Sequence, residues 1–181
     1  MTAIDETLPV AELAAVVSEA LASAGLDAVL SGGSVVTIYS DNEYQSFDLD
    51  FVTTERMNRL EDVMASIGYQ RASGRHFEHP SSRYLVEFPS GPLSVGDEVL
   101  RDTGRVTTPV GTIRLLTPTQ CVMDRLASYY HWSDPQGLEQ ALMVAKRHEV
   151  ILDDLKNWSI REGHAAGFDR FKQRLDASRR P

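Results

Sequence analysis

Cysteine is almost missing from this chain of 181 residues, which contains only Cys121. A single thiol excludes an internal disulfide and any zinc site built from several cysteines. Because Cys121 falls within a helical pattern of apolar residues, we expect it to be a buried apolar side chain. Long apolar runs are absent too, and residues 1–7 lack the basic start of a signal peptide. These features predict a cytoplasmic protein without a membrane partner.

Positive charge is scarce, since 18 Lys and Arg face 26 Asp and Glu, for a net charge of −8. This balance disfavours broad, nonspecific attraction to nucleic acid, although it does not exclude a local basic patch. The arginines and lysines concentrate in two places, residues 71–83 (Arg71, Arg75, Arg83) and the C-terminal end (Lys172, Arg174, Arg179, Arg180). Arg71, Arg75 and Arg83 could form an anion patch for triphosphate or RNA, or they could be charges on a solvated sheet face.

The order of the hydrophobic patterns predicts an α+β fold, in which a mixed β-sheet flanked by helices is followed by a C-terminal helical region. Residues 1–116 are expected to form the core domain and residues 117–181 the helical region. Glycine, proline and apolar spacing predict the following elements: helices 9–26, 55–67, 137–149, 151–158 and 166–175, a helix capped near Thr117, a short helix after Gly33, strands 28–30 and 46–52, a meander of strands 69–71, 75–78 and 84–88, and a hairpin 106–116 leading out of the sheet. Thr53 or Thr54 is expected to be the N-cap of the helix at 55–67. Residues 178–181 are expected to be a frayed end.

Two aspartates alternate with apolar residues in the strand predicted at 46–52. Asp48 and Asp50 would share one face of that strand, while Phe47, Leu49 and Phe51 would share the other. Two carboxylates held so close repel each other, which favours a cation between them, and oxygen ligands suit Mg²⁺ or Mn²⁺. The alternative is a solvated face at the edge of a strand.

A glycine turn precedes this strand. Residues 28–30 predict a short strand that breaks at Gly32 and Gly33 into the start of a helix, with Ser34 next. Backbone N–H groups at such a turn form an anion site, and glycine permits close approach of a phosphate. Because Gly-Gly-Ser also occurs in ordinary loops, only its order before the Asp-x-Asp strand indicates a nucleotide site.

A third carboxylate follows on a later strand. Alternation in residues 84–88 places Glu87 with Leu85, on the face opposite Tyr84, Val86 and Phe88. Glu87 could complete a metal cluster with Asp48 and Asp50, or it could be an edge residue in solvent, and Glu78 is the other candidate. His76, His79 and His131 have no zinc-site spacing and are interpreted as surface or core histidines.

With Gly32-Gly33-Ser34, Asp48-Leu49-Asp50 and Glu87 in this order, the sequence resembles the DNA polymerase β-like nucleotidyltransferase superfamily. It looks most similar to small prokaryotic members, which include the AbiEii-type and minimal nucleotidyltransferases of toxin–antitoxin modules. The resemblance covers residues 28–88 by motif and the tail more loosely, at residues 117–119 and 124–132. The sequence departs from the family pattern in two places. Phe47 stands where many relatives have a small polar residue. AbiEii-type toxins also have a downstream Lys-and-Asp motif on a helix, and the spacing of its possible counterparts, Lys146 and Asp153 or Asp154, matches poorly.

The resemblance implies an enzyme that moves a nucleoside monophosphate from a nucleoside triphosphate to an acceptor hydroxyl. Gly32, Gly33 and Ser34 would bind the nucleotide, and Asp48, Asp50 and Glu87 would bind Mg²⁺ or Mn²⁺ and act in catalysis. The acceptor is not identified by the sequence, although a small molecule or a protein is favoured over RNA. A cognate toxin or antitoxin protein would be a further partner. The rival hypotheses are an antitoxin or regulatory binding protein of the same fold with little or no turnover, and a structural protein whose Asp48 and Asp50 merely face solvent.

Overall fold

The computed structural model describes residues 2–179, which form seven helices and nine strands. Residues 180–181, part of the predicted frayed end, lie outside the described residues, whereas Ser178 is the last residue of a helix. The elements, in chain order, are α1 (Val10–Ser23), β1 (Ala28–Ser31), α2 (Gly32–Tyr39), β2 (Asp48–Thr53), α3 (Met57–Ser66), β3 (Gln70–Ser73), β4 (His76–Glu78), β5 (Leu85–Glu87), β6 (Ser94–Val95), β7 (Glu98–Val99), β8 (Gly104–Thr108), β9 (Gly111–Leu115), α4 (Pro118–Trp132), α5 (Pro135–Arg147), α6 (Leu152–Arg161) and α7 (Ala165–Ser178).

Seven strands form one mixed sheet in the order β3-β4-β5-β2-β1-β9-β8. The predicted meander is confirmed, because β3, β4 and β5 pair antiparallel in succession. Strand β5 then pairs parallel with β2, and β1 lies antiparallel to β2 on its other side. The predicted α+β architecture, a mixed sheet flanked by helices, is confirmed.

The two faces of the sheet differ in chemistry. One face carries apolar side chains whose exposed fractions are 0–1%, namely Leu30, Leu49, Phe51, Phe77 and Val86. Since side chains alternate along a strand, the neighbours of these residues in β2, β4 and β5 project from the other face. That second face carries the acidic side chains, so the core is built on one side of these strands and the candidate site on the other.

The hairpin of β8 and β9 was predicted to lead out of the sheet, and this prediction is wrong. Leu30 of β1 pairs in parallel with Leu115 of β9, so the hairpin extends the sheet on the side of β1 opposite β2. The sequence pattern marks the turn between the two strands but does not carry the long-range pairing. The small sheet of β6 and β7 was not predicted, because two-residue strands have no measurable alternation.

The start of α3 also differs from the prediction. Thr53 or Thr54 was expected to cap this helix, but the N-cap residue is Arg56, which makes no side-chain cap hydrogen bond. Thr53 ends β2 instead, and its hydroxyl donates to the carbonyl oxygen of Asp27 at 2.6 Å. At α4, by contrast, the expected cap at Thr117 is present, since Thr117 and Gln120 form a reciprocal capping box.

The four C-terminal helices pack against each other and against the core. Helix α2 contacts both α4 and α5, and His148 Nε2 lies 2.8 Å from the carbonyl oxygen of Tyr39 at the end of α2. The division at residue 116 into two domains stays a prediction. Among residues 2–179, no helix is both long enough and apolar enough to cross a membrane.

Strands β3 and β8 are the two edges of the sheet. All four residues of β3 are exposed, and the pairing of β3 with β4 shifts register between Arg71 and Ser73. Strand β8 is longer and pairs with β9 in an unbroken register from Gly104 to Thr108.

Candidate functional site

The predicted carboxylates lie next to each other across three strands. Asp50 of β2 is the register partner of Glu87 of β5 and of Ser31 of β1, and Asp48 is opposite Leu85. Residues paired in register project from the same face of a sheet. Asp48, Asp50 and Glu87 therefore share one face, where Asp48 is exposed and the other two are half-buried.

The position of Glu78 separates it from this group. Glu78 is exposed and pairs with Gln70 of β3, on the far side of β4 from β5. Glu87 is on the strand that pairs directly with β2, and its Oε1 lies 3.4 Å from His76 Nε2. Of the two glutamates considered as the third carboxylate, Glu87 is therefore the one beside Asp50.

The electrostatic environment of Asp50 is unfavourable to its charge. Burial, and then the negative charges of Glu87 and Asp48, raise the pKa of Asp50 from 3.8 to about 6, and the positive charge of Arg125 offsets this only in part. A carboxyl group perturbed by burial and by like charges in this way is a candidate for a functional role.

The glycine turn brings the start of α2 against Asp50. Gly32 has a φ of +71°, and a Cβ atom at this position would lie 2.5 Å from Asp50 Oδ2. Only glycine combines this left-handed conformation with such close packing. At Gly33 a Cβ atom would lie 3.1 Å from Ser46 Oγ, so the loop that leads into β2 also packs closely on the turn.

The first turn of α2 has no side-chain cap. The N-cap residue Ser31 donates its hydroxyl to the carbonyl oxygen of Asp50 at 3.2 Å instead of capping the helix. The side chain of Ser34 is buried, and its hydroxyl donates to the carbonyl oxygen of Ser31 at 3.3 Å. Ser34 can therefore offer its backbone N–H to an anion, together with those of Gly32 and Gly33, while its hydroxyl faces inward.

Two functional candidates were missed by sequence reasoning, Asp124 and Arg125 of α4. Both act electrostatically on Asp50, Arg125 by lowering its pKa and Asp124 by raising it. Arg125 Nε donates to Asp124 Oδ2 at 3.0 Å, and its Nη1 donates to Gln140 Oε1 of α5 at 3.3 Å. The signal in the sequence was a charged pair inside an apolar helical pattern, but its direction toward β2 depends on how α4 packs.

The other residues considered from the sequence lie outside the group of Asp48, Asp50 and Glu87. Lys146 is an exposed residue in the last turn of α5, and Asp153 and Asp154 lie in the first turn of α6. His131 Nε2 lies 2.9 Å from Glu162 Oε2 at the end of α6. The ring of His79 packs on Tyr69, with 5.1 Å between the ring centroids.

The donor set fits a magnesium or manganese ion by its chemistry, since it consists of carboxylate oxygens whose mutual repulsion an ion would relieve. In the part of the chain that the structure describes, however, no group of three or more His, Cys, Asp or Glu side chains is arranged so that it could hold a metal ion. The backbones of β2 and β5 place the carboxylates together, whereas their side chains are not gathered around a common point.

Comparison with known proteins supports the fold. No protein-family model matches the sequence, and no curated protein matches it. The structure is similar to the crystal structure of an antigenic nucleotidyltransferase-like protein from Paracoccidioides brasiliensis, with a TM-score of 0.55 and 13% identity over 78% of this chain and 76% of that one. At this identity the likeness concerns the fold alone, which is nucleotidyltransferase-like.

Two structures of the antibiotic-resistance factor ANT(2″)-Ia are more distant. The structure in complex with adenylyl-2″-tobramycin has a TM-score of 0.49 and 13% identity, over 87% of this chain and 94% of that one. The solution structure has a TM-score of 0.47 and 14% identity, over 90% of this chain and 92% of that one. These scores are too low to support an argument about this chain, and the similarity to AbiEii-type proteins stays a prediction.

Proposed function

Starting from the nucleotidyltransferase-like fold, we propose that this protein is a metal-dependent nucleotidyltransferase that moves a nucleoside monophosphate from a nucleoside triphosphate to an acceptor hydroxyl. The observation that carries the proposal is the contact between the glycine turn and the carboxylates. Gly32 packs against the carboxylate of Asp50, and Asp50 is paired with Glu87. The turn that we propose to bind phosphate is thus adjacent to the strand pair that we propose to bind a cation, and nucleotide transfer requires both.

The start of α2 would hold the phosphates. The N–H groups of Gly32, Gly33 and Ser34 belong to the first turn of the helix, where no intrahelical acceptor exists. The helix dipole adds a partial positive charge at the same end. Since Gly32 has no side chain, a phosphate can approach this backbone closely.

Asp48, Asp50 and Glu87 would hold Mg²⁺ or Mn²⁺, which when bound neutralises charge on the phosphates and lowers the pKa of the acceptor hydroxyl. In the transfer the acceptor oxygen forms a bond to the α-phosphorus, and the bond from that phosphorus to pyrophosphate breaks. Glu87 is half-buried and lies on the side of β2 away from Gly32. We propose that its carboxylate takes the proton of the acceptor.

The distribution of positive charge supports a small-molecule or protein acceptor over RNA. Several arginines and lysines of the two basic concentrations form ion pairs, Arg71 with Glu61, Arg174 with Glu139, and Lys172 with Asp176. Arg180 lies outside the described residues. Paired cations give little attraction for a phosphate backbone, which needs a continuous basic track.

The test is binding followed by transfer. We expect the chain to bind labelled nucleoside triphosphates only with Mg²⁺ or Mn²⁺, and the double variant Asp48→Asn, Asp50→Asn to lose this binding while staying folded. Glu78→Gln, an exposed carboxylate of the same sheet, is the matched control and should bind normally. Absence of metal-dependent binding in the native chain would refute the proposal.

Transfer is then measured with three acceptor pools, which are total RNA, cell protein and small metabolites. We expect label in the protein or metabolite pool, lost in the double variant. Label in the RNA pool would overturn the acceptor preference and retain the enzyme class. Metal-dependent binding without label in any pool would favour the regulatory or antitoxin hypothesis, and a toxin or antitoxin gene beside this one would support the predicted partner.

A further inference from the structure

An exposed aromatic side chain and an arginine lie together where strands β2 and β5 of the candidate site begin. Phe47 directly precedes Asp48 and is 48% exposed, which is unusual for a phenylalanine. The Cζ atom of Arg83 lies 5.4 Å from the centroid of the Phe47 ring and 5.1 Å from that of Tyr84. We call Phe47, Arg83 and Tyr84 the stacking platform.

The platform is held together by several contacts. The rings of Phe47 and Tyr84 are stacked, with 5.9 Å between centroids and 24° between planes. Arg83 Nη2 donates to the Tyr84 hydroxyl at 3.0 Å, and Leu85 N donates to the carbonyl oxygen of Phe47 at 3.0 Å. Tyr84 is buried and anchors the group, whereas Arg83 and Phe47 face solvent. The Arg83 side chain is therefore accessible to a ligand from solvent.

Arg83 differs from the other two arginines of its concentration. Arg71 is paired with Glu61, and Arg75 Nε donates to the carbonyl oxygen of Phe88. Within residues 2–179, no carboxylate lies within salt-bridge distance of Arg83. A guanidinium that rests on aromatic rings and has no acidic partner can stack on a further planar group and donate hydrogen bonds at its edge.

The sheet order assigns the platform to one side of the site. The phosphate turn follows β1, the carboxylates are on β2, and the platform lies where β2 and β5 begin, on the side away from β1. Because side chains alternate along a strand, Phe47 projects away from the face that carries Asp48, and the platform lies around the start of β2 from that face. The Cα atoms of Phe47 and Asp48 are nevertheless only about 3.8 Å apart. A ligand on the platform would reach Asp48 around the start of β2.

We propose that the stacking platform binds a planar ring of the acceptor, so that the acceptor is a hydroxyl compound carrying an aromatic or heteroaromatic ring. This inference rests on the proposed nucleotide transfer for the identity of the ligand as acceptor. A free nucleoside-like small molecule and the last nucleoside of an RNA share this chemistry, and the experiment distinguishes them. One platform with one unpaired arginine fits a single ring and not a long chain.

The experiment measures binding by calorimetry, with Mg²⁺ and a non-hydrolysable ATP analogue present to fill the donor site. The probes are adenosine, ribose as a matched hydroxyl compound without the ring, and a short RNA ending in adenosine. We expect adenosine to bind about tenfold or more tightly than ribose, since stacking of one base contributes about 5- to 150-fold in affinity. Arg83→Gln and Phe47→Ala should each lose about tenfold of the adenosine affinity.

Two further variants make the result specific. Phe47→Tyr keeps an aromatic ring and should retain adenosine binding, while Arg101→Gln removes another exposed arginine, outside the platform, and should have no effect. RNA that binds more than tenfold tighter than adenosine would identify an RNA end as the source of the ring, and equal or weaker binding would identify a small molecule. Equal affinity for ribose and adenosine, or unchanged adenosine affinity in Arg83→Gln and Phe47→Ala, would overturn the platform.

The failure of this inference is distinguishable from that of the proposed function. Binding of the ATP analogue is titrated first, in the native chain and in each variant, and it should not change in Arg83→Gln or Phe47→Ala. If the native chain does not bind the analogue in the presence of Mg²⁺, the proposed function is refuted. Titration with adenosine in the absence of the analogue then tests whether the platform binds a ring. Normal analogue binding without ring selectivity refutes the platform alone.

Discussion

Replacing Asp50 with asparagine should stabilise the protein in the absence of metal, and the gain should depend on pH. The pKa of Asp50 is raised from 3.8 to about 6 by burial, then by Glu87 and Asp48. One pKa unit is worth about 1.4 kcal/mol, so the ionised carboxylate costs about 3 kcal/mol of folding free energy above pH 6. Asparagine keeps the shape of the side chain and removes the charge.

The direction in which stability changes with pH follows from the number of protons that the folded and unfolded states bind. In the unfolded chain Asp50 ionises near its ordinary pKa of 3.8, whereas in the folded chain it stays protonated up to about 6. Between these values the folded state binds more protons, so the stability of the native protein falls as the pH rises, and it changes no further on this account above about 6. The variant has no such dependence at this position. Its advantage should be near zero at about pH 4 and about 3 kcal/mol at neutral pH.

Urea unfolding in the presence of a chelator measures this difference at a series of pH values. Glu78→Gln, an exposed carboxyl group on β4, is the control and should change stability by no more than about 0.5 kcal/mol at any pH. An Asp50→Asn variant that is less stable than the native chain at neutral pH would refute the reasoning and indicate that the carboxylate is held by structural hydrogen bonds. A constant difference across the series would show that the pKa is not raised.

Two other predictions concern the backbone of the site and its helical neighbour. Gly32→Ala introduces a Cβ atom 2.5 Å from Asp50 Oδ2 at a residue with φ of +71°. It should therefore lower the free energy of unfolding by more than about 1 kcal/mol, measured by thermal unfolding, and abolish nucleotide binding, measured by calorimetry. Thr117→Ala breaks the capping box with Gln120 at the start of α4 and should cost about 1 kcal/mol in urea unfolding, with nucleotide binding preserved. An unchanged midpoint in either variant would contradict these expectations.

The strands around the site could be predicted because the alternation of polar and apolar residues that indicates a strand lies within the strand's own residues. Alternation in residues 46–52 identified the shared face of Asp48 and Asp50, and the same argument placed Glu87 with Leu85 on β5. What alternation cannot supply is the neighbour of each strand. The parallel pairing of β5 with β2 brings Glu87 opposite Asp50, and it depends on packing between segments that are far apart in the chain.

The errors have the same origin. Hairpin β8–β9 was placed outside the sheet because nothing in its own residues indicates the parallel contact of β9 with β1. The charged pair Asp124 and Arg125 was missed as part of the site because a helical pattern gives the face of a helix but not what that face meets. The cap of α3 was assigned to a threonine by residue type, whereas Thr53 is used by β2 and by its bond to Asp27.

The unequal edges of the sheet have a consequence for self-association. An unpaired strand edge invites another chain to add a strand, and proteins prevent this with short, charged or irregular edges. Strand β3 has these protections, because it is four residues long, its register shifts beside Arg71, and Arg71 is tied to Glu61. Strand β8 has five residues in regular register and lacks such an irregularity. Aggregation through strand addition is therefore expected at β8, on the side of the sheet away from Glu87, and would leave the carboxylate face open.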